Sequence, residues 1–372
     1  MADWTGPRYD AAWTYRRIKW GTWEDLAEYQ QVSGMTLNRS ALNSLKTSGS
    51  ISYVGEPVDE VDALAAYYGF TDSAGERVEM KVATVLVEAD DPELRSLVSG
   101  GVHQYGTAKF YSLLKVLSDA KCKVPLTIPA GTNAIAKAKE IIEGCGLRTN
   151  SQSSAYVLTA DHTFDASDSL LTVVNWLLDA AGYSSAFTDA DGVVVLAPYI
   201  EPTARETTWA FVNDQNSTIY VGVTAESDWR DAPNVVTLVH ETDEATITAT
   251  AKNIDKESKS SLPNRGWREN GMTDTVSELQ GETVWDRMSN LKRLARKKLI
   301  DNSSEIRCAK FSTLFVPVQV GDAVSVDYSG EKWSGIVTAL DTDGGPAGKT
   351  TVKVRQFVRR ELLIKTDGEI MC

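Results

Sequence analysis

The residues best suited to chemistry are few, and their spacing does not suit it. The three histidines, His103, His162 and His240, stand about 60–80 residues apart, with no H-E-x-x-H or comparable ligand spacing, so a zinc site is not expected. The four cysteines, Cys122, Cys145, Cys308 and Cys372, include no C-x-x-C pair and read as reduced thiols. Carboxylates are plentiful. A cell-wall hydrolase would need two of them held about 5–10 Å apart across a cleft. Asp161, Asp165, Asp168, Asp189 and Asp191 instead fall at cap and turn positions, where aspartate serves the local backbone. There is no G-x-S-x-G elbow and no supported Cys/His pair. The expectation is a non-enzymatic chain without metal or cofactor, with a cell-wall hydrolase as the weaker alternative.

Aromatic and basic residues carry more information. Four of the ten tryptophans, Trp4, Trp13, Trp20 and Trp23, lie in the first 30 residues. Trp13, Trp20 and Trp23 are expected in a core. Trp4, beside Gly6-Pro7, could equally begin an arm that docks on a partner, since aromatics favour interfaces. The polar stretch Asn253–Glu269 holds Arg265-Gly-Trp267-Arg268, with little helix or strand signal, and reads as an exposed excursion. A helix is predicted from Thr275 to Ile300, with Val284, Met288, Leu291 and Ala295 inward and Arg287, Lys292 and Arg296 on a basic face. Trp4, Arg265, Trp267, Arg268, Arg287, Lys292 and Arg296 are therefore the candidate partner interface. Tryptophans stacking on sugars would make the chain a carbohydrate-binding adhesion module, a second alternative.

The net charge of −13 argues against general nucleic-acid binding, which needs a positive excess, and lets nucleic acid pass without adhering. No run approaches 18 apolar residues, so no membrane span is expected, and the N-terminus lacks an apolar secretory core.

A chain of 372 residues holds two to four domains. Strand-like runs at 35–37 and 50–54, and a hairpin across Asp72–Gly75, predict a small antiparallel barrel or sandwich. Phe110, Leu113, Leu114 and Leu117 then suggest a helix, and Thr132 a cap for a second one carrying Ile135, Ala138 and Ile142. Asp168 is placed as the cap of a third, stopped by Gly182 and followed by a hairpin through Asp191-Gly192 that ends at Pro198-Tyr199. Strands return over 207–251. Val320-Gly321-Asp322 opens a final meander.

This order, with Leu170-Leu171 through Gly182-Tyr183, Asp191-Gly192 through Pro198-Tyr199, Asn234-Val-Val through Ala251, Arg265-Gly266 and Val320-Gly321-Asp322, resembles the tail hub family of tailed bacteriophages. These are also called baseplate hub or tail-tip hub proteins, and they share a fold with the base of the type VI secretion spike. The resemblance implies an α+β multidomain fold with two antiparallel β-barrel-like tube domains and α-helical insertions. The expected division is 1–100 (first barrel with its aromatic arm), 101–200 (α insertion and helix–hairpin), 201–252 (start of the second barrel), 253–310 (polar loop and long helix), 311–360 (closing strands) and 361–372 (tail). It further implies a homotrimer whose six barrels ring the tail channel at the distal end of the virion. The partners implied are the distal tail protein or tail-tube ring, the tape-measure protein and a central tip or fibre protein. DNA would pass through without specific binding.

Overall fold

The computed structural model describes residues 4–55, 61–89, 93–96, 102–201, 204–214, 217–227, 232–242, 245–303, 307–328, 330–356 and 363–371. Cys372 and the first three residues of the N-terminal arm lie outside them.

The first module is β1 (Tyr9–Ile18), β2 (Asp25–Glu28), β3 (Val32–Ser40), β4 (Thr47–Val54), β5 (Ala63–Thr71), β6 (Arg77–Ala89), β7 (Glu93–Ser96) and β8 (Val102–Ser112). Strand β5 shows why its sequence reads ambiguously: Ala63 to Phe70 are all buried, on both faces, so the usual polar alternation is missing. The turn that returns it to β6 is built by Asp72, whose Oδ1 accepts from the N–H groups of Ala74 and Glu76, and by Gly75 at φ +83°. The helix expected from Phe110 starts later. Phe110 belongs to β8 and is buried in the module's aromatic core, and the helix begins only after Leu113.

An αβ insertion follows: α1 (Leu114–Asp119), β9 (Leu126–Ile128), α2 (Ala134–Gly144), β10 (Thr149–Ser151), β11 (His162–Phe164), α3 (Leu170–Ala180), β12 (Phe187–Thr188) and β13 (Val194–Leu196). The caps sit one residue beyond the predicted ones. Asn133 accepts from Ala136 N–H and Ser169 from Thr172 N–H, each with the extended backbone a cap needs. Asp168 instead accepts from the N–H of Asp165. Gly182 at φ +74° ends α3 as predicted. Its N–H donates to Asp179 O and that of Tyr183 to Leu178 O. The hairpin forms with Phe187 opposite Val195, and β13 pairs in parallel with β10.

The second module begins with β14 (Thr207–Val212) and β15 (Ile219–Ser227) and is then interrupted. The interruption is β16 (Val235–Glu241), β17 (Thr246–Asn253), β18 (Gly271–Thr275) and α4 (Val284–Ser303). The module then continues with β19 (Arg307–Thr313), β20 (Ala323–Tyr328), β21 (Glu331–Asp343) and β22 (Thr350–Gln356), and the described chain ends with β23 (Ile364–Met371). Three expectations change here. Strands β16 and β17 leave the second module and form a four-stranded sheet, β18-β16-β17-β23, with α4 across it. The helix predicted from Thr275 starts only at Val284, and Thr275 ends the parallel edge strand of this sheet, residues 271–275. The segment expected only as a short tail carries strand β23, paired with β17 from Ile364 to Met371.

The two modules do not form separate barrels. Their strands join in one 14-stranded sheet, ordered β15-β19-β22-β21-β3-β4-β8-β6-β5-β1-β2, with β20 and β14 continuing from β21. Among the described residues this path does not close. The pairing is mostly antiparallel, with β14–β20 a parallel exception.

Within that sheet one pattern occurs twice. The first module runs β3-β4-β8-β6-β5-β1 and the second β15-β19-β22-β21-β20-β14. Each position is filled by the strand of the same rank in sequence. A row of paired residues can be followed across each. In the first it is Ile18, Ala63, Leu86, Tyr111, Ser48 and Asn38. In the second it is Thr207, Ala323, Ile336, Arg355, Cys308 and Glu226.

Candidate assembly interface

The seam between the modules is backbone first. Strand β21 pairs with β3 from Ala339 opposite Ser40 to Asp343 opposite Thr36. The Gly344 N–H extends the ladder to Met35 O at 2.8 Å. A Cβ on Gly344 would lie 2.7 Å from Met35 Cβ and 2.8 Å from its N, so the backbones meet here only because glycine has none. Beyond it, the Trp13 Nε1–H donates to Gly345 O and the Tyr68 hydroxyl to Pro346 O, each at 3.1 Å.

Side chains close the seam. Phe315 comes from the second half of the chain yet is buried in the first module's core. Its ring lies 4.7 Å from Tyr68, 5.6 Å from Trp13 and 5.9 Å from Trp4. Trp4 also meets Phe70 edge-on at 5.0 Å, and the Arg8 guanidinium stands 5.6 Å from the Trp4 ring. Trp4, offered as a partner contact, is thus half-buried at the junction of the chain's own two modules. Trp20 and Trp23, 4.9 Å apart, join the first module to the αβ insertion, where Arg148 stacks 4.8 Å from Trp23. The tryptophans expected in a core therefore line its seams.

A cavity of about 490 Å³ lies where both modules meet the insertion, lined in part by Arg39, Lys46, Arg205 and Val320-Gly321-Asp322. Gly321 at φ +97° bonds to Val337 O, and the Asp322 side chain accepts from Gln319 N–H at 2.8 Å, so this motif is a fixed turn into β20. Burial brings the Arg39 guanidinium down to about 10, partly offset by Asp322. On the far side, the Tyr199 hydroxyl donates to Asp301 Oδ1 on α4, and Lys297 stands 3.8 Å over the Tyr199 ring. Burial raises Asp301 above the usual carboxylate range, against the Tyr199 hydrogen bond and the charges of Lys297 and Arg355. Tyr199 carries the end of the insertion onto α4. In the sequence Pro198-Tyr199 marks only the end of the hairpin, and nothing near it in the chain announces this contact.

The remaining candidates fall in two places. Arg265, Trp267 and Arg268 share one loop. Trp267 is 68% exposed at φ +62°, directly after Gly266 at φ +62°. A tryptophan in the left-handed region costs about 1–2 kcal/mol. The loop is held to it: Trp267 N–H donates to Leu262 O at 2.7 Å, and buried Asn234 donates through Nδ2 to Ser260 O and Arg268 O and accepts from Asn270 N–H. The Arg268 Nε–H folds back to Arg265 O at 3.0 Å. Arg287, Lys292 and Arg296 lie on α4, separate from that loop. Only Arg296 is well exposed. The Lys292 stem lies against Gly368 of β23, where an added Cβ would meet its Cε at 2.6 Å. Lys298 pairs with Asp274, which it holds below the usual carboxylate range. Trp285, the second residue of α4, is 73% exposed and was missed, although its place outside the apolar stripe could have flagged it.

Of the aspartates, Asp161, Asp168 and Asp189 serve the backbone, while Asp191 pairs with Lys81 at 3.0 Å. Asp161 accepts from Ala130 N–H at 2.7 Å, and Asp189 from the N–H groups of Asp191 and Val193. His162 stacks on Trp176 at 4.0 Å, and His240 Nδ1 lies 2.7 Å from Val276 O. Among the described residues no three His, Cys, Asp or Glu cluster as metal ligands, and no helix is long and apolar enough to cross a membrane.

No family model and no curated protein matches the sequence. Solved structures do match. A tail protein from Neisseria meningitidis MC58 aligns with a TM-score of 0.67 at 14% identity, over 94% of this chain and 97% of that one. The 43 kDa tail protein of prophage MuSo2 from Shewanella oneidensis gives 0.62 at 12%, over 92% and 98%. A prophage tail protein from Listeria monocytogenes EGD-e gives 0.52 at 10%, over 92% and 95%. At such identities the likeness is one of fold: the chain has the fold of these tail proteins.

Proposed function

We propose that this chain is the structural hub at the distal end of a bacteriophage tail, joining the tail tube to the tip or central fibre and forming part of the channel for genome ejection. The observation that carries this is the internal repeat: one chain contains the same order of six strands twice, joined through β21 and β3. Two modules per chain make three chains a ring of six, which matches a sixfold tube on one face and leaves a threefold face for a tip. Identical chains meeting head to tail give a ring when the rotation closes. The unit is then a homotrimer. Its partners are the distal tail protein or tail-tube ring, the tape-measure protein and the tip protein. Three copies carry −39, three times −13, so DNA slides through without specific binding. The role is structural, and no cofactor or catalytic group takes part.

Trp267, with Arg265 and Arg268, offers a neighbouring protein an aromatic anchor flanked by positive charge, and Arg296 on α4 is a separate exposed cation. A strained, exposed aromatic on an otherwise fixed loop is the kind of outlier that function maintains.

Gold-labelled antibody against the chain, applied to intact virions, tests the assignment. Labels at the tail end farthest from the head, with tailless or tipless particles when the gene carries a nonsense codon, support it. Labels along the tube, or intact tips without the chain, overturn it.

A further inference from the structure

We propose that the cavity where the two modules meet the insertion is a binding site for a singly charged carboxylate carried on an apolar body, with Arg39 as the group that receives it.

Arg39 stands where the strand pattern calls for a hydrophobic residue. On β3 it follows Met35 and Leu37 along the inward face, and both of those are buried. Leu340, opposite it across the seam, is fully buried as well. The Arg39 Nε is shut off from solvent, and among the described residues the guanidinium has neither a hydrogen-bond nor an ion-pair partner. A buried cation without a partner is costly, and a local rule broken at such cost points to a use.

The other charges around the cavity are engaged. Lys46 Nζ donates to Ala41 O at 2.6 Å. Arg205 donates to Gly321 O and, through Nε and Nη2, to Ile200 O at 3.3 and 3.2 Å. Asp322 attracts Arg39 but accepts from Gln319 N–H, and Asp189 accepts from the N–H groups of Asp191 and Val193. Among the described residues lining the cavity, Arg39 is therefore the cation left to receive a ligand. Its planar fork suits a carboxylate or a phosphate. Charge decides between them. Asp189, Glu206 and Asp322 line the cavity together with the three cations, so the lining is neutral in sum and a dianion would be repelled by three carboxylates. The rest of the ligand is apolar, because Val82, Phe187, Pro198 and Val320 supply the wall. About 490 Å³ suits a small molecule of that kind or the last residues of a peptide. The lining comes from both modules and the insertion, so a bound acid ties the three together and stabilises the fold.

The test uses the full chain with phenylpropionate, its amide, inorganic phosphate, and acetyl-Ala-Phe as acid and as amide, read by calorimetric titration and thermal melting. Both acids are expected to bind saturably in the millimolar range and to raise the melting temperature, while the amides and phosphate do neither. Either acid alone doing so also supports the site, and the tighter of the two names the source: a chain terminus for the peptide, a free acid for phenylpropionate. Arg39→Lys keeps the charge but loses the fork, and should weaken binding about 10–100-fold. Arg39→Met should abolish binding and, without ligand, melt higher than the parent, since it removes a buried charge that has no partner. The site is overturned if neither acid binds, if phosphate or the amides bind as well as the acids, if Arg39→Lys binds like the parent, or if Arg39→Met melts lower.

Discussion

The two modules share a ladder but differ in what interrupts it. In the first, β3 and β4 are joined by a turn at 41–46. In the second, the same connection, from β15 to β19, contains β16, β17, β18 and α4, which with β23 enclose a core of their own. The insertion sits at a loop, where added length costs little closure entropy. The outer strand differs too, β1 running antiparallel to β5 and β14 parallel to β20. What is kept is the order of the strands. What varies is the outer strand and the β15–β19 connection, and that connection carries Trp267 and Trp285.

That division can be broken at its seam. Phe315→Ala removes a ring buried in the other module's core, and a loss of about 3–5 kcal/mol is expected. In urea the single transition should split as the modules lose their shared core. Loss below about 1 kcal/mol would mean that the seam is held elsewhere. Gly344→Ala forces a Cβ into the Met35 backbone and should cost about 1–3 kcal/mol. Gly345→Ala next to it, with nothing nearer than 3.6 Å, should cost far less, and equal costs would contradict a close approach at Gly344 alone.

Tyr199→Phe removes the hydroxyl given to Asp301, for about 1–3 kcal/mol by thermal melting. Asp301 sets a pH dependence here. Its folded value is raised, so the folded state holds a proton the unfolded chain has released. Stability from this group therefore rises as pH falls from neutral through that raised value, and flattens below the ordinary carboxylate value. Asp301→Asn should abolish the slope, and a slope of the same size in the variant would assign it to another group. The smallest folding effect, within about 0.5 kcal/mol, is expected for Arg296→Glu on the exposed face of α4. Its effect should fall on assembly and grow as salt is lowered. Unchanged assembly at low salt would make that face merely solvated.

How much of this was legible follows from the range of each signal. The α3 stop at Gly182, the Asp72–Gly75 hairpin and the buried stripe of α4 are local, set by residues a few positions apart, and the sequence declares them. Strand β8 was misread because Phe110, Leu113, Leu114 and Leu117 are all buried, Phe110 on a sheet and the others against helices, so burial mimicked helical spacing. Strand β23 was hidden because its partner β17 lies more than 100 residues away. Of the candidate site, the exposure of Trp267 was readable from its polar surroundings. The use of Trp4 and Phe315 at one seam was not, since they meet only through tertiary packing.

The claim that one chain is two ring modules is tested most directly by counting its copies in the assembled tail, by symmetry and density in cryo-electron microscopy. The account predicts three copies whose six ladders form one ring around the channel. Six copies, or one, would contradict it.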